Sequence, residues 1–517
     1  MKEGRIYTGD ELAQDLALSC DVCIVGSGSG GGWLAHELSA RGLSVVMLEE
    51  GGYFTRRDFK LDEAHAFTHF YQELGNRTTD DLAVGILQGR SVGGGTTVNW
   101  STSFRAPKRI LELWRDRFGV EGLSHEALAP HWEAIEERLS IAEWPKERMN
   151  RNNRILWEGL GKLGYHRGLL SRNVRHCADL GYCGMGCPID AKQSTLVTVI
   201  PDAVKKGLSL YANVSVRRLE VSHRRVVAVH GEVLHPERDE PTGRKVVVRA
   251  KVTALSCGAI NTPALLLRSE LTGNGRVGKR TYLHPFTATL GIFDEPVEPF
   301  AGAPQAVYSH QFAQREKGQM GFFLEVGPLF PMTVAVLASG FGRPLQEMMA
   351  QLSHMNAIGC PLVDGVEEGD EGGTVKLRTQ GYGRVSFDYP LTERHLEAFR
   401  TACRETARLQ LRMGAKRVYS LHFDPVVLES ENDLPKLDAA PWEKLRLKVL
   451  TAHQMGGCAM GKSPHTSVVD SRLRYHGLDN LFVVDGSVFP TGLGVNPQET
   501  IFALARWGAQ HVAAAVG

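Results

Sequence analysis

The apolar residues near the start of the chain fall into three groups. A short run, Val22-Cys23-Ile24-Val25, is followed by helix-spaced apolar positions from Trp33 to about Ala40 and then by a second run, Val45 to Leu48. Four-residue apolar runs bounded by turn residues have the form of buried parallel strands. The pattern therefore predicts strand, helix, strand. The first turn carries Gly26, Gly28 and Gly31 in G-x-G-x-x-G spacing, and the second strand ends in Glu49. In a dinucleotide site Gly26 permits the tight turn, Gly28 lets backbone approach a pyrophosphate, and Gly31 allows close helix–strand packing. The helix N-terminus offers free N–H groups to phosphate, and Glu49 can accept from a ribose diol. The unit by itself does not choose between NAD and FAD.

Further along, Met1 to Ser19 reads as a polar helix or arm. Arg109 to Leu139 reads as helical, with Ile110, Leu113, Trp114 and Phe118 on one face. Leu208–Val216, Val226–Val229 and Lys245–Leu255 read as strands. From Thr281 to Pro441 the pattern turns to mixed strands, with helical stretches at Pro344–Met355 and Thr392–Met413.

At 517 residues the chain can bury two cores. Its 59 Lys+Arg against 58 Asp+Glu leave no electrostatic case for nucleic acid. Nine cysteines without regular pairing, and a polar stretch from Met1 to Leu18, point to a reducing cytoplasmic compartment, where the sequons at Asn76 and Asn213 are chance matches. The longest uncharged run, Val326 to Gly342, is interrupted by Pro328 and Pro331. It is no transmembrane segment, although it could form an apolar wall.

A second glycine-rich segment runs from Gln88 to Trp100, with four glycines between Gly89 and Gly95. Such density means that backbone approaches something flat and bulky. This segment resembles the first signature of the glucose–methanol–choline (GMC) oxidoreductases. Gly258 to Ser269 resembles their second signature, departing where Glu270 replaces the usual glycine, and Asn480–Pro490 with Gly494–Pro497 resembles their closing block. The resemblance implies an α/β (α+β) fold: a Rossmann-like FAD-binding domain, residues 1–280 and 442–517, with an inserted antiparallel-sheet substrate-binding domain, residues 281–441, in the p-hydroxybenzoate hydroxylase-like two-domain arrangement. It also implies FAD. Gly93, Gly94 and Asn99 would lie along the isoalloxazine, Val216 beside the adenine, and Asp485 and Gly486 at the ribityl and pyrophosphate. The position where some relatives attach FAD through histidine falls near Val98, so the cofactor is expected to be non-covalent.

Alcohol oxidation by a flavin needs a base for the hydroxyl proton while the carbon-bound hydrogen leaves as hydride, and imidazole suits that role near pH 7. His453, in His-Gln-Met-Gly, resembles the catalytic histidine of cholesterol oxidases and, more closely, of long-chain-alcohol oxidases. Asn496, in Gly-Val-Asn-Pro-Gln, matches the asparagine those enzymes carry where many relatives have a second histidine. His284, in Leu-His-Pro, is expected to hold a loop at the domain border. The expected reaction converts an apolar or long-chain primary alcohol to an aldehyde or ketone, with dioxygen as acceptor and hydrogen peroxide as product. The rivals are a dehydrogenase that passes electrons to an acceptor protein and a flavin-binding protein that has lost its chemistry.

Cys177, Cys183 and Cys187, at C-x5-C-x3-C, leave two readings open. They could be thiolate ligands of a [3Fe-4S] cluster, or part of a packed loop over the flavin.

Overall fold

The computed structural model describes residues 4–378 and 385–517. Strand β1 (Leu16–Val25), helix α1 (Ser29–Ala40) and strand β2 (Val45–Leu48) form the expected parallel unit, with Val22 opposite Val45 and Val25 opposite Leu48. Two positions in the turn admit only glycine. Gly26 sits at φ +96°, and a side chain there would meet the Ser256 carbonyl oxygen at 2.3 Å. A Cβ on Gly31 would lie 1.9 Å from the Gly26 carbonyl oxygen, so α1 can lie against β1 only without one.

The expected helix from Arg109 to Leu139 is two helices, α2 (Lys108–Phe118) and a second over His125–Leu139. The break is Gly119, left-handed at φ 65°, which caps α2. Strand β3 (Pro241–Leu255) runs parallel to β1 on one side and pairs with Leu481–Val483 as well. Beyond it, Arg225–Leu234 and Val214–Ser222 continue the sheet antiparallel. At the opposite edge Arg5–Tyr7 pairs in parallel with Ser209–Tyr211, so of the helix or arm expected, the described residues form an arm that contributes an edge strand.

The second sheet is antiparallel around β4 (Phe286–Ile292), β5 (Leu324–Val326) and β6 (Met355–Val363). It also takes in Val84–Ile86, Gly168–Leu169 and Val449–Thr451, three short strands outside 281–441. Helix α3 (Glu393–Arg412) packs on β4 through a Thr289–Thr406 hydroxyl pair at 2.9 Å, and Gln410 donates to Asn356 at 2.8 Å. The stretch predicted as helix over 344–355 is α-helical only as far as Met349; a 3-10 turn follows at Leu352–His354, and Met355 already begins β6.

Each sheet has its own apolar core. The uncharged run Val326–Gly342 contributes Val326, Leu329 and Val334 to the second. It leaves Val336 at 62% and Phe341 at 88% exposure, so much of the segment faces solvent instead of walling a pocket. Among the described residues no helix is long and apolar enough to cross a membrane. The final helix, α4 (Gln498–Ala514), returns to pack against α1.

Replacing Gly31 by alanine forces the α1–β1 contact apart. The expected cost is about 1–3 kcal/mol, the range for overpacking, read as a lowered denaturant midpoint. An unchanged midpoint would mean that the two elements are not held at this distance.

Candidate active site

Three glycine-rich blocks meet at the C-terminal end of β1. Glu49 does not project freely: its carboxylate accepts from the Ser27 amide at 2.9 Å, the Ser27 hydroxyl at 2.7 Å and the Gly51 amide at 2.8 Å. Burial pushes this carboxyl up and those three donors pull it down. Unused lone pairs remain for a ribose. The same Ser27 hydroxyl accepts from the Gly93 amide at 3.0 Å, which binds the second glycine loop to the first. Gly94, at φ 51°, would put a Cβ 2.8 Å from the Gly28 α-carbon, so the two backbones touch.

The C-terminal block is fastened through Asp485. Its fully buried carboxylate accepts from the Gly258 amide at 2.9 Å, the Thr262 hydroxyl at 2.6 Å and the Ser487 amide at 2.8 Å. Gly486 follows in a short 3-10 turn. Val216 lies in the strand whose start is stitched to the Glu49 turn, with the Val214 amide donating to the Glu49 carbonyl at 2.8 Å. Asn99 donates to Gln498 at 2.6 Å, so the glycine loop is also tied to the first turn of α4.

These residues suit an extended phosphorylated cofactor. Helix α1 begins at Gly28 with no side-chain cap and no acid in its first turn, leaving its N–H groups for an anion. Nothing lies within 4 Å of where a Cβ on Gly95 would sit. The buried hydroxyls of Ser91 and Ser487, each inside one of these blocks, have no partner among the described residues.

Beside this cradle stands a histidine pair. Nε2 of His453 lies 3.2 Å from Nδ2 of Asn496, and Nδ1 of His453 lies 3.1 Å from Nδ1 of His284. The rings of His453 and His284 meet edge-on, with centroids 5.3 Å apart. The Gly494 amide donates to Nε2 of His284 at 3.1 Å. Burial is the cause of both pKa shifts: His453 is lowered to about 4, and His284 falls well below its ordinary value, helped by His453. Both rings are therefore neutral at pH 7. His284, expected at a domain border, is in direct contact with His453.

Sequence reasoning missed Glu325. Its carboxyl accepts from Gln305 at 2.8 Å, lies 3.5 Å from the Asn496 amide nitrogen, and is raised to about 7 by burial. Gln305 in turn accepts from Thr102 at 2.5 Å. Glu325 Oε1 and Asn496 Oδ1 are both buried without a partner among the described residues. The available signal was a lone acid between Leu324 and Val326 in an apolar strand, since an unpaired buried acid is rarely structural filler.

The three cysteines do not make a metal centre. Among the described residues no group of three or more His, Cys, Asp or Glu side chains is placed to hold an ion. Burial raises the Cys177 thiol, and Cys183 Sγ receives Arg172 at 3.5 Å. The loop is fixed instead by Lys192, fully buried and lowered by burial to about 8. Its ammonium donates to the carbonyls of Asn99 at 3.0 Å and Cys183 at 2.6 Å, and to that of Thr97 at 2.5 Å, so it bolts the cysteine loop onto the glycine loop.

Comparison with known proteins places the chain in a family and a fold. Residues 51–286 and 370–505 match the two family models described as GMC oxidoreductase. The chain is 29% identical to the long-chain-alcohol oxidases FAO4B and FAO1 of Arabidopsis thaliana, over 94% and 98% of its own length. It spans 66% and 68% of the lengths of those enzymes. It is 30% identical to an uncharacterized GMC-type oxidoreductase of Mycobacterium tuberculosis over 96% of this chain and 76% of that one. Pyridoxine 4-oxidase shares the fold at a TM-score of 0.72 with 22% identity, covering 96% of this chain and 99% of the other. Formate oxidase does so at 0.71 with 16% identity, covering 97% and 99%.

Glu325 has a stability consequence. A carboxyl whose folded pKa is raised keeps more protons in the native state than in the unfolded one. Its contribution to stability is therefore present at low pH and is lost as pH rises from about 4.5 through about 7. Glu325→Gln removes that dependence, so the variant should gain on the parent by about 2–3 kcal/mol between pH 5 and pH 8. Parallel pH–stability curves would show that Glu325 ionises normally.

Proposed function

The chain belongs to the GMC oxidoreductase family, and from that premise we propose that it is an FAD-dependent oxidase of primary alcohols carried on an extended chain. The observation that supports this most is the contact of neutral His453 with Asn496, beside a cradle suited to a dinucleotide. Gly26, Gly28, Gly31 and Glu49 would hold the adenosine and pyrophosphate end with Val216. Asp485 and Gly486 would hold the ribityl segment, and Gly93, Gly94 and Asn99 the ring. Bound FAD supplies a two-electron acceptor for the hydride leaving the carbinol carbon.

Asn496 orients the alcohol oxygen through its amide. His453, stripped of charge by burial, is the group placed to take the hydroxyl proton as the carbon–hydrogen bond breaks. It is a weak base, and a buried imidazolium is costly. Glu325, one residue further along the same contacts, with its carboxyl raised to about 7 by burial, supplies the compensating negative charge. His284 holds the far side of the His453 ring. Dioxygen is the final acceptor and leaves as hydrogen peroxide, a reading supported by the plant relatives named as oxidases.

The test is anaerobic mixing of the yellow protein with a panel of alcohols, followed by admission of air. Alcohol should bleach the colour and air should restore it promptly; slow restoration would transfer the reading to a dehydrogenase. His453→Ala should keep its flavin and lose about 10²–10⁴ in the bleaching rate. An undiminished rate would remove His453 from the proton step.

A further inference from the structure

The cysteine loop lies against a buried charge that no carboxylate meets. Arg172, in the short strand Ser171–Asn173, is 1% exposed. Its Nη2 donates to the Trp100 carbonyl at 3.2 Å and to Sγ of Cys183 at 3.5 Å. Its Nε and Nη1 are buried without a partner among the described residues. The Trp144 ring, 4.8 Å from the guanidinium carbon, returns part of the lost hydration. Elsewhere in this protein arginines close on a carboxylate, as Arg105 does on Glu136 and Arg138 on Asp202. A guanidinium keeps its charge, and idle donors in the interior cost free energy. They mark a place that receives an acceptor.

The acceptor at hand is sulfur. Among the described residues Cys183 is the one cysteine whose Sγ accepts from a cationic side chain. The sulfurs of Cys177, Cys257 and Cys360 donate instead, to Asp179, to the Val25 carbonyl and to the Thr287 carbonyl. Burial pushes up the thiols of Cys23, Cys257 and Cys458. Cys183 is only half-buried, which leaves its sulfur open to a small neutral oxidant. A thiol sulfur is a weak acceptor and leaves the fork largely unsatisfied. An oxygen added to that sulfur is a strong one.

We propose that Cys183 is a modification site, a thiol that hydrogen peroxide oxidises to sulfenic acid, with Arg172 receiving the new oxygen. Sulfur attacks one peroxide oxygen and the O–O bond breaks. Cys183 gives up two electrons, the peroxide takes them, and the thiol proton joins the departing hydroxide as water. The N–H groups of Arg172 that lack a partner then face the sulfenate oxygen in a charge-assisted pair. This stage of oxidation is reversible by thiols. The proposal rests on the oxidase reading only for the source of the peroxide. Lys192 bonds the carbonyls of Cys183 and Asn99 at once, so the modified turn is tied directly to the loop assigned to the flavin ring.

The experiment adds hydrogen peroxide in slight excess to the flavin-loaded protein without alcohol, together with a cyclic 1,3-diketone that captures sulfenic acids. Peptide mass spectrometry should find the adduct on Cys183 well ahead of the other eight cysteines. A thiol reductant given before the diketone should abolish it. Arg172→Gln should slow capture at Cys183 by about ten- to a hundredfold, the range for hydrogen bonds to a charged group. Arg172→Lys, which keeps the charge and loses the fork, should fall between. The Tm of each variant checks that it folds; should the glutamine variant not fold, the adduct map of the parent and the lysine variant decide. Adducts spread over the cysteines by exposure, or a rate at Cys183 untouched by loss of the guanidinium, would overturn the proposal. An Arg172-dependent adduct in a protein that no alcohol bleaches would uphold the site and refute the oxidase reading. Bleaching by alcohol and prompt recovery in air, with no adduct at Cys183, would do the reverse.

Discussion

One buried carboxylate holds the middle of the chain to its closing block. Asp485 enters the interior with three donors aimed at it, from Gly258, Thr262 and Ser487. Burial alone would drive it to the neutral form, and the donors oppose that. A carboxylate so placed is worth having only while every donor stays in position, because an unpaired buried charge costs several kcal/mol. The bond network therefore fixes the first turn of the Gly258 helix against the closing block. Residues 227 apart in sequence are locked at one point. Parallel ties repeat the device: Gln454 donates to the Leu87 carbonyl at 3.1 Å, and Asn99 donates to Gln498 at 2.6 Å. His453 and Asn496 each sit within two residues of such a tie, and their meeting follows from it.

Much of this was legible in sequence where the physical requirement is local. Gly31 is glycine because a Cβ would strike the Gly26 carbonyl one turn away, and Gly26 because the turn holds it at φ +96°; those needs leave their mark in adjacent positions. The fold class and the family resemblance followed from such blocks, as did the expectation that His453 and Asn496 meet. The contact of His284 with His453, across 169 residues, and of Glu325 with Asn496, across 171, had no local trace beyond one acid in an apolar strand.

The misreadings have physical causes as well. Arg109 to Leu139 keeps helical periodicity through Gly119, where a left-handed cap ends one helix before the next begins. The segment before β1 looks polar because edge strands carry polar residues; its partner, Ser209–Tyr211, lies about two hundred positions away. The cysteine spacing left thiolate ligands and a packed loop both open; Lys192 reaches the loop with its ammonium and binds the Cys183 carbonyl. The loop is a lysine-fastened flap on the glycine loop. Val326 to Gly342 is apolar in composition and partly exposed in place, so composition alone said little about the substrate.

The central claim is that glycine loops from the front of the chain and the histidine–asparagine pair from its end enclose one isoalloxazine ring. A crystal structure of the FAD-reconstituted protein tests it most directly. The account expects the ring between Gly93–Gly94 and the His453–Asn496 pair, with its reactive edge against those two side chains. A flavin bound elsewhere, or one with His453 and Asn496 out of reach of its ring, would contradict it.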